Sequence, residues 1–423
     1  MITLSRSEEL IALEDKYGAH NYHPLPVVLT RGEGVFVFDV DGKRYYDFLS
    51  AYSAVNQGHC HPRIINALKI QAEKLTLTSR AFYNDQLGRY EEMITGMFGF
   101  DKVLPMNTGV EAVETALKIC RKWSYLVKGI EENQAVIVFA KNNFHGRTTA
   151  IISASVDPLA RTNYGPFLPG VKVVDYDNYE AMESALKDEN VAGVILEPIQ
   201  GEAGAYVPEE GYLAKVQKLC KSKNVLFIAD EVQTGIARTG RLLATCGNCS
   251  CASRSKCENK YEARPDILIL GKALSGGVLP VSAVLADNQI MDVIKPGTHG
   301  STFGGNPLAC AVAMEALKVV EDEHLAENAY NLGVIFRERM QLLSKKTNIV
   351  NKVRGKGLLN AVIIEDKDGK GIAWDICLQL KENGLLAKPT HSNIIRFAPP
   401  LVMTEEQLHD CCDIIEKTIL TFN

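Results

Sequence analysis

Short runs of consecutive apolar residues recur through the middle of the chain, at 135–140, 171–176, 191–197, 225–230, 267–270 and 281–286. They are rich in valine and isoleucine and apolar at successive positions, the pattern of strands buried on both faces. Helical patterns lie between several of them, including 111–128 and 209–222. Strands that alternate with helices predict an α/β fold, with a mostly parallel sheet flanked by helices.

Two regions flank this core. Residues 27–49 read as short strands joined at an Asp41-Gly42 turn. From Leu308 to about Glu323 runs a long helical pattern, and beyond it helices and short strands alternate again, including 360–365 and 394–398. The expected division is an N-terminal segment 1–50 packing with a small domain, a large domain 51–320, and a smaller α+β domain 321–423. Leu4, Leu10, Ile11 and Leu13 predict an amphipathic entry helix within the first fifteen residues. Its Glu8, Glu9, Glu14 and Asp15 are unlike an acid-poor transit peptide, and it lacks the apolar core of a signal peptide. A cytoplasmic protein is therefore expected. No uncharged apolar run is long enough to span a bilayer.

Charge and composition narrow the class only slightly. The net charge of −5 argues against a broad nucleic-acid surface, and 46% hydrophobic with 23% charged residues is ordinary for a globular chain. Most of the 11 cysteines are scattered, as reduced thiols would be. Cys246, Cys249, Cys251 and Cys257 instead cluster in an apparent insert at about 245–262. Three readings stand side by side: a thiolate zinc or iron–sulfur staple, a redox-sensitive loop, and a loop with idle thiols. His59 and His61 flank Cys60 just before Pro62, and read as a helix-entry loop rather than a metal site.

The chemistry gathers at strand ends, where open parallel sheets bind ligands. The 225–230 run ends in Asp230 and Glu231, the 191–197 run in Glu197, and the 267–270 run in Gly271-Lys272. An isolated lysine there would more often snorkel to water. Beside strand-end carboxylates it becomes a candidate for a desolvated amine that can form a Schiff base. The stretch Asn107-Thr108-Gly109-Val110-Glu111 opens a helical pattern, a place for phosphate on free amides. It lacks the endings of nucleotide P-loops and dinucleotide folds. A phosphate cup, a strand-end aspartate and a strand-end lysine are the parts pyridoxal phosphate requires, and Phe144 is the candidate aromatic for its ring.

The motifs NYHPLPVVLTRGEGVFVFDVDGKRYYDFLSAYSAVNQGHCHP, NTGVEAVETALK, FHGRT, EPIQGEAG, ADEVQTGIARTG, LGKALSGG and GSTFGGNP span residues 21–307, and IIRFAPPL follows near the C-terminus. The set and its order resemble the class III pyridoxal-phosphate-dependent aminotransferases, a fold-type I family, and within it the branch acting on ornithine. The resemblance implies that Lys272 carries the cofactor and shuttles the proton, Asp230 pairs with the pyridinium, and Gln233 contacts the ring oxygen. It implies phosphate contacts from Gly109 and Val110, with Thr302 reaching the site of a neighbouring subunit in a homodimer, and stacking by Phe144. For ornithine it assigns Arg147 to the α-carboxylate and Tyr22 to the α-amino group, with Tyr52 lining the pocket. Arg396 would take the α-carboxylate of glutamate or 2-oxoglutarate, neutralised by Glu202 in the other half-reaction. His145 departs from the tryptophan of many ornithine-specific relatives, whereas acetylornithine relatives often carry histidine. Tyr22 and NTGVEA favour ornithine. Other expected readings are an acetylornithine or other ω-amino acid transaminase and, more remotely, a catalytically silent binding protein on the same fold.

Overall fold

The computed structural model describes residues 5–246, 262–365, 369 and 371–422. Its centre is a seven-stranded sheet in the order Lys102–Met106, Ser282–Ala286, Ile267–Leu270, Leu226–Asp230, Val191–Leu196, Val136–Ala140 and Val171–Val174. Only Ser282–Ala286 runs against the others. Every residue of Val191–Leu196, Leu226–Asp230 and Ile267–Leu270 is buried, which is why those runs are continuously apolar. Lys102–Met106 is an additional edge strand, and Pro105 within it obscures the strand pattern.

The helix Gly109–Trp123 lies across the sheet with Ala112, Val113, Ala116 and Ile119 buried. Packing is close enough that a Cβ on Gly193 would meet Cys120 Sγ at 2.5 Å. The helical pattern 111–128 continues past this helix as a π-helical turn, Ser124–Lys128.

The N-terminal meander of Leu29–Glu33, Phe36–Asp39 and Arg44–Asp47 gains a parallel fourth strand, Leu385–Leu386, from the far end of the chain. A third sheet orders Val350–Lys356, Leu359–Ile364, Ile394–Phe397 and Lys388–Thr390. Arg238, fully buried, ties these regions together: its guanidinium donates to Asn56 Oδ1 and to the carbonyls of Leu358 and Pro399. The helix Arg6–Tyr17 forms with a Ser5–Glu8 capping box, yet none of its residues is buried. Its apolar stripe is thus not sequestered within the single chain. Among the described residues no helix is long and apolar enough to cross a membrane.

Candidate active site

Five segments converge at the carboxyl edge of the central sheet. Asp230 ends Leu226–Asp230, and Glu197 follows Val191–Leu196. Phe144 and His145 lie beyond Val136–Ala140, Lys272 beyond Ile267–Leu270, and Gly109 begins the helix after Lys102–Met106. Together they line one cavity, which Val110 and Gln233 also reach.

Lys272 sits at φ +46°, the first residue of a 3-10 turn. A left-handed side-chain-bearing residue costs on the order of 1–3 kcal/mol, and such strain clusters at functional sites. Burial pushes its ammonium below the ordinary range; Glu202 works against this shift and Arg396 with it. Asp230 is held by two donors. His145 Nδ1 donates to Oδ2 at 2.6 Å, and the Val232 amide donates to Oδ1 at 3.1 Å. His145 is buried, and its Nε2 has no partner. Glu197 Oε1 accepts the Phe144 amide at 2.9 Å. Burial pushes its carboxyl up to about 7, with His145 opposing and Asp230 reinforcing the shift.

The helix start is built for an anion. Thr108 caps it and Glu111 returns to the cap, leaving the first-turn amides of Gly109 and Val110 at the cavity. Gly146, at φ +128°, packs so closely that a Cβ would meet Val110 Cγ2 at 2.4 Å. An amine on a strained turn, a buried carboxylate with its orientation fixed, a helix N-terminus and the Phe144 ring form a donor set that fits pyridoxal phosphate.

The two arginines singled out by sequence have different settings. Arg396 is buried, donates to Glu202 Oε1 at 2.6 Å, and lies over the Tyr52 ring at 5.4 Å. Burial alone would raise the Glu202 carboxyl, but Arg396 and Lys272 outweigh it and hold it below the usual range. Arg147 is exposed beside the Phe144 ring at 5.7 Å and makes no hydrogen bond or ion pair among the described residues. Gln233 Nε2 donates to the Tyr52 carbonyl at 3.3 Å. Tyr22 is exposed and near enough to Tyr52 to affect its phenol.

Tyr52 is placed by a feature no sequence pattern announced. Ser50, Ala51, Tyr52 and Ser53 all have φ between +46° and +72°, a left-handed turn without glycine. Asp47 Oδ1 accepts the amides of Leu49 and Ser50, and Ala54 N–H donates to Ser50 O.

Some expected groups lie elsewhere. Glu231 does not reach the cavity: its carboxylate accepts from Thr234, the Ala244 amide and Thr245 on the other side of the strand end. Thr302 is exposed on the loop before the helix Pro307–Asp322, outside this chain's cavity. His59 and His61 turn apart, to Asp47 and Glu323. Cys246 is buried, whereas Cys249, Cys251 and Cys257 lie outside the described residues. The flanks of that segment meet, since the Ala263 amide donates to Thr245 O at 3.3 Å. Sequence reasoning placed Glu197 at this edge without giving it a role, and noted His145 only as a departure from relatives, not as a partner of Asp230. Their position just beyond two apolar runs was the available signal.

The chain matches the class III aminotransferase family over residues 17–419. It is 62% identical to the Drosophila melanogaster protein named ornithine aminotransferase, mitochondrial, over 99% of this chain and 93% of that one. Among solved structures, the ornithine aminotransferase of Toxoplasma gondii superposes with a TM-score of 0.94 at 50% identity, covering 99% of this chain and 96% of that one. An acetylornithine aminotransferase from Elizabethkingia anophelis superposes at 0.88 with 61% identity, covering 99% and 100%. With its cavity, donor set and full-length likeness in agreement, the chain belongs to the class III aminotransferases, enzymes whose cofactor is pyridoxal phosphate.

Proposed function

We propose that the protein is an ornithine δ-aminotransferase. It moves the δ-amino group of L-ornithine to 2-oxoglutarate, giving glutamate and glutamate 5-semialdehyde, which cyclises to pyrroline-5-carboxylate. The observation that carries this reading is the contrast between the two arginines: Arg396 is covered by Glu202 at 2.6 Å, while Arg147 is open. A diamino acid that must present its terminal amine needs one open carboxylate clamp and one closed one.

Arg147 grips the ornithine α-carboxylate with its planar fork. Tyr22 contacts the α-amino group, and Tyr52 walls the pocket. In the second half-reaction Glu202 swings away and Arg396 takes the α-carboxylate of 2-oxoglutarate. Lys272 and Asp230 would hold the cofactor, with Gln233 for its ring oxygen, Phe144 for its ring, and the Gly109 and Val110 amides for its phosphate. When bound, the cofactor supplies a ring that accepts the electron pair released as a substrate C–H bond breaks. Lys272 would take that proton from the substrate carbon as general base and give it up again as general acid. Its depressed affinity for protons suits both tasks.

Thr302, exposed and not among the residues lining its own cavity, supports a homodimer in which it serves the neighbouring subunit's phosphate. The large and small domains at 51–320 and 321–423, with the first 50 residues beside the small one, are part of this reading. So is a place in arginine metabolism and proline biosynthesis. The cytoplasm as compartment belongs to this proposal; the Drosophila relative is named mitochondrial, and fractionation decides. The cysteine insert is read as non-catalytic.

A second reading, an acetylornithine transaminase, is favoured by His145 and by the Elizabethkingia likeness. Nitrogen tracing tests the regiochemistry. Ornithine labelled with ¹⁵N at the δ position yields labelled glutamate under our reading, and label at the α position does not. Transfer of the α label overturns it.

A further inference from the structure

The residue next to Tyr22 makes a contact that neither the sequence motifs nor the catalytic reading uses. The His23 imidazole stacks on the Trp374 indole, with centroids 4.4 Å apart and planes 11° from parallel. Trp374 stands near the start of the helix Ile372–Glu382. Seven residues later, two turns along the same face, Lys381 Nζ donates to the Pro26 carbonyl at 3.3 Å. The segment from His23 to Pro26 is thus fastened along one helix at two points. Leu25 and Val27 tuck into neighbouring apolar clusters.

Tyr22 has no such fastening of its own. Its ring is exposed and makes no hydrogen bond among the described residues. The preceding helix, Arg6–Tyr17, has no buried residue; its Ser7 Oγ donates to Asp41 Oδ2, and its Asp15 carbonyl accepts from His20 Nε2. On the C-terminal side, the fastening nearest Tyr22 is the stack made by its neighbour His23. We propose that the His23–Trp374 stack is a positioning clamp for Tyr22, so that discrimination at the α-amino end of the substrate is set by a helix near the C-terminus. Trp374 and His23 are positioning residues: neither lines the cavity, and both act through Tyr22. The proposal rests on the reading of Tyr22 as the α-amino contact.

The test uses the holoenzyme with two amine donors, ornithine and 5-aminopentanoate. Both carry the δ-amine and the carboxylate, but the second lacks the α-amino group. Trp374→Leu is expected to raise KM for ornithine about three- to tenfold, the range for losing a stacked pair. It should leave kcat, KM for 2-oxoglutarate and the kinetics of 5-aminopentanoate unchanged. Trp374→Phe, which keeps an aromatic surface, should restore most of the loss. Amide hydrogen exchange should quicken at residues 20–28 in Trp374→Leu and not at the cavity. Should Trp374→Leu fold poorly, His23→Ala removes the stack from the exposed side and is expected to give the same split. Tyr22→Phe separates the two ways of being wrong. An unchanged preference for ornithine over 5-aminopentanoate in Trp374→Leu or His23→Ala, with a reduced one in Tyr22→Phe, overturns the clamp and leaves the Tyr22 reading standing. An unchanged preference in Tyr22→Phe removes that reading and the clamp with it.

Discussion

His145 Nδ1 donates to Asp230 Oδ2 at 2.6 Å in a site where both side chains are buried. The aspartate that we assign to the cofactor ring is thus held by an imidazole as well as by the Val232 amide. Burial alone would drive the imidazole toward its neutral form, but the hydrogen bond and charge of Asp230, with Glu197 beyond, outweigh it and raise its proton affinity. Hydrogen bonds to charged groups contribute about 1.5–3 kcal/mol. His145→Phe should therefore weaken pyridoxal phosphate binding by about tenfold or more, with His145→Gln intermediate, as read by absorbance titration. Equal affinities in all three proteins would show that Asp230 does not need this donor.

Glu197 yields a pH prediction. Its carboxyl is raised to about 7 in the folded protein by burial, against about 4.3 in an unfolded chain. The folded state therefore binds the proton more tightly. The associated stability is fully present below the unfolded value and is lost as pH rises through about 7. Raised His145 shifts stability in the same direction, above its ordinary range near 6.5. Urea denaturation of the apoprotein should show the wild type losing up to about 3 kcal/mol relative to Glu197→Gln between pH 5 and 8. Parallel profiles would mean that the Glu197 carboxyl does not titrate there.

The Glu202–Arg396 ion pair is, on our proposal, the gate between half-reactions. Glu202→Ala uncovers Arg396, so glutamate should bind without displacing a partner and its kcat/KM should rise about tenfold, the equivalent of one released ion pair of order 1.4 kcal/mol. Ornithine should fall in kcat/KM as misoriented binding competes. Stopped-flow half-reactions measure both. A fall for both substrates would show instead that Glu202 mainly supports the site.

The Ser50–Ser53 turn carries measurable strain. Ala51 is exposed at φ +46°, and a left-handed alanine costs about 1–2 kcal/mol, against about 0.5–1 kcal/mol of extra chain entropy for glycine. Ala51→Gly should be neutral to stabilising by roughly 0.5–1 kcal/mol, and Ala51→Val destabilising by about 1–3 kcal/mol, by urea midpoint. Equal midpoints would remove the turn as a source of strain.

What could be read from sequence follows from the periods that sequence expresses. The fully buried strands Val191–Leu196, Leu226–Asp230 and Ile267–Leu270 are written as apolar runs, so the sheet and the edge carrying Asp230 and Lys272 were legible. Glu231 was misplaced beside Asp230 because successive residues at a strand end face opposite ways. One carboxylate enters the cavity and the other secures the segment from Thr234 to Thr245. The Ser50–Ser53 turn was invisible because left-handed backbone is usually signalled by glycine or asparagine, and Asp47 holds it without either. The His145–Asp230 contact joins residues 85 apart, a relation that no local pattern encodes.

The proposed reaction takes a terminal amine from ornithine while the free α-amino acid end is held. Its most direct measurement compares kcat/KM for ornithine, N-acetylornithine and 4-aminobutyrate, each with saturating 2-oxoglutarate. A polar contact to the α-amino group should favour ornithine by about 100-fold or more over either competitor. A clear preference for N-acetylornithine would contradict the account.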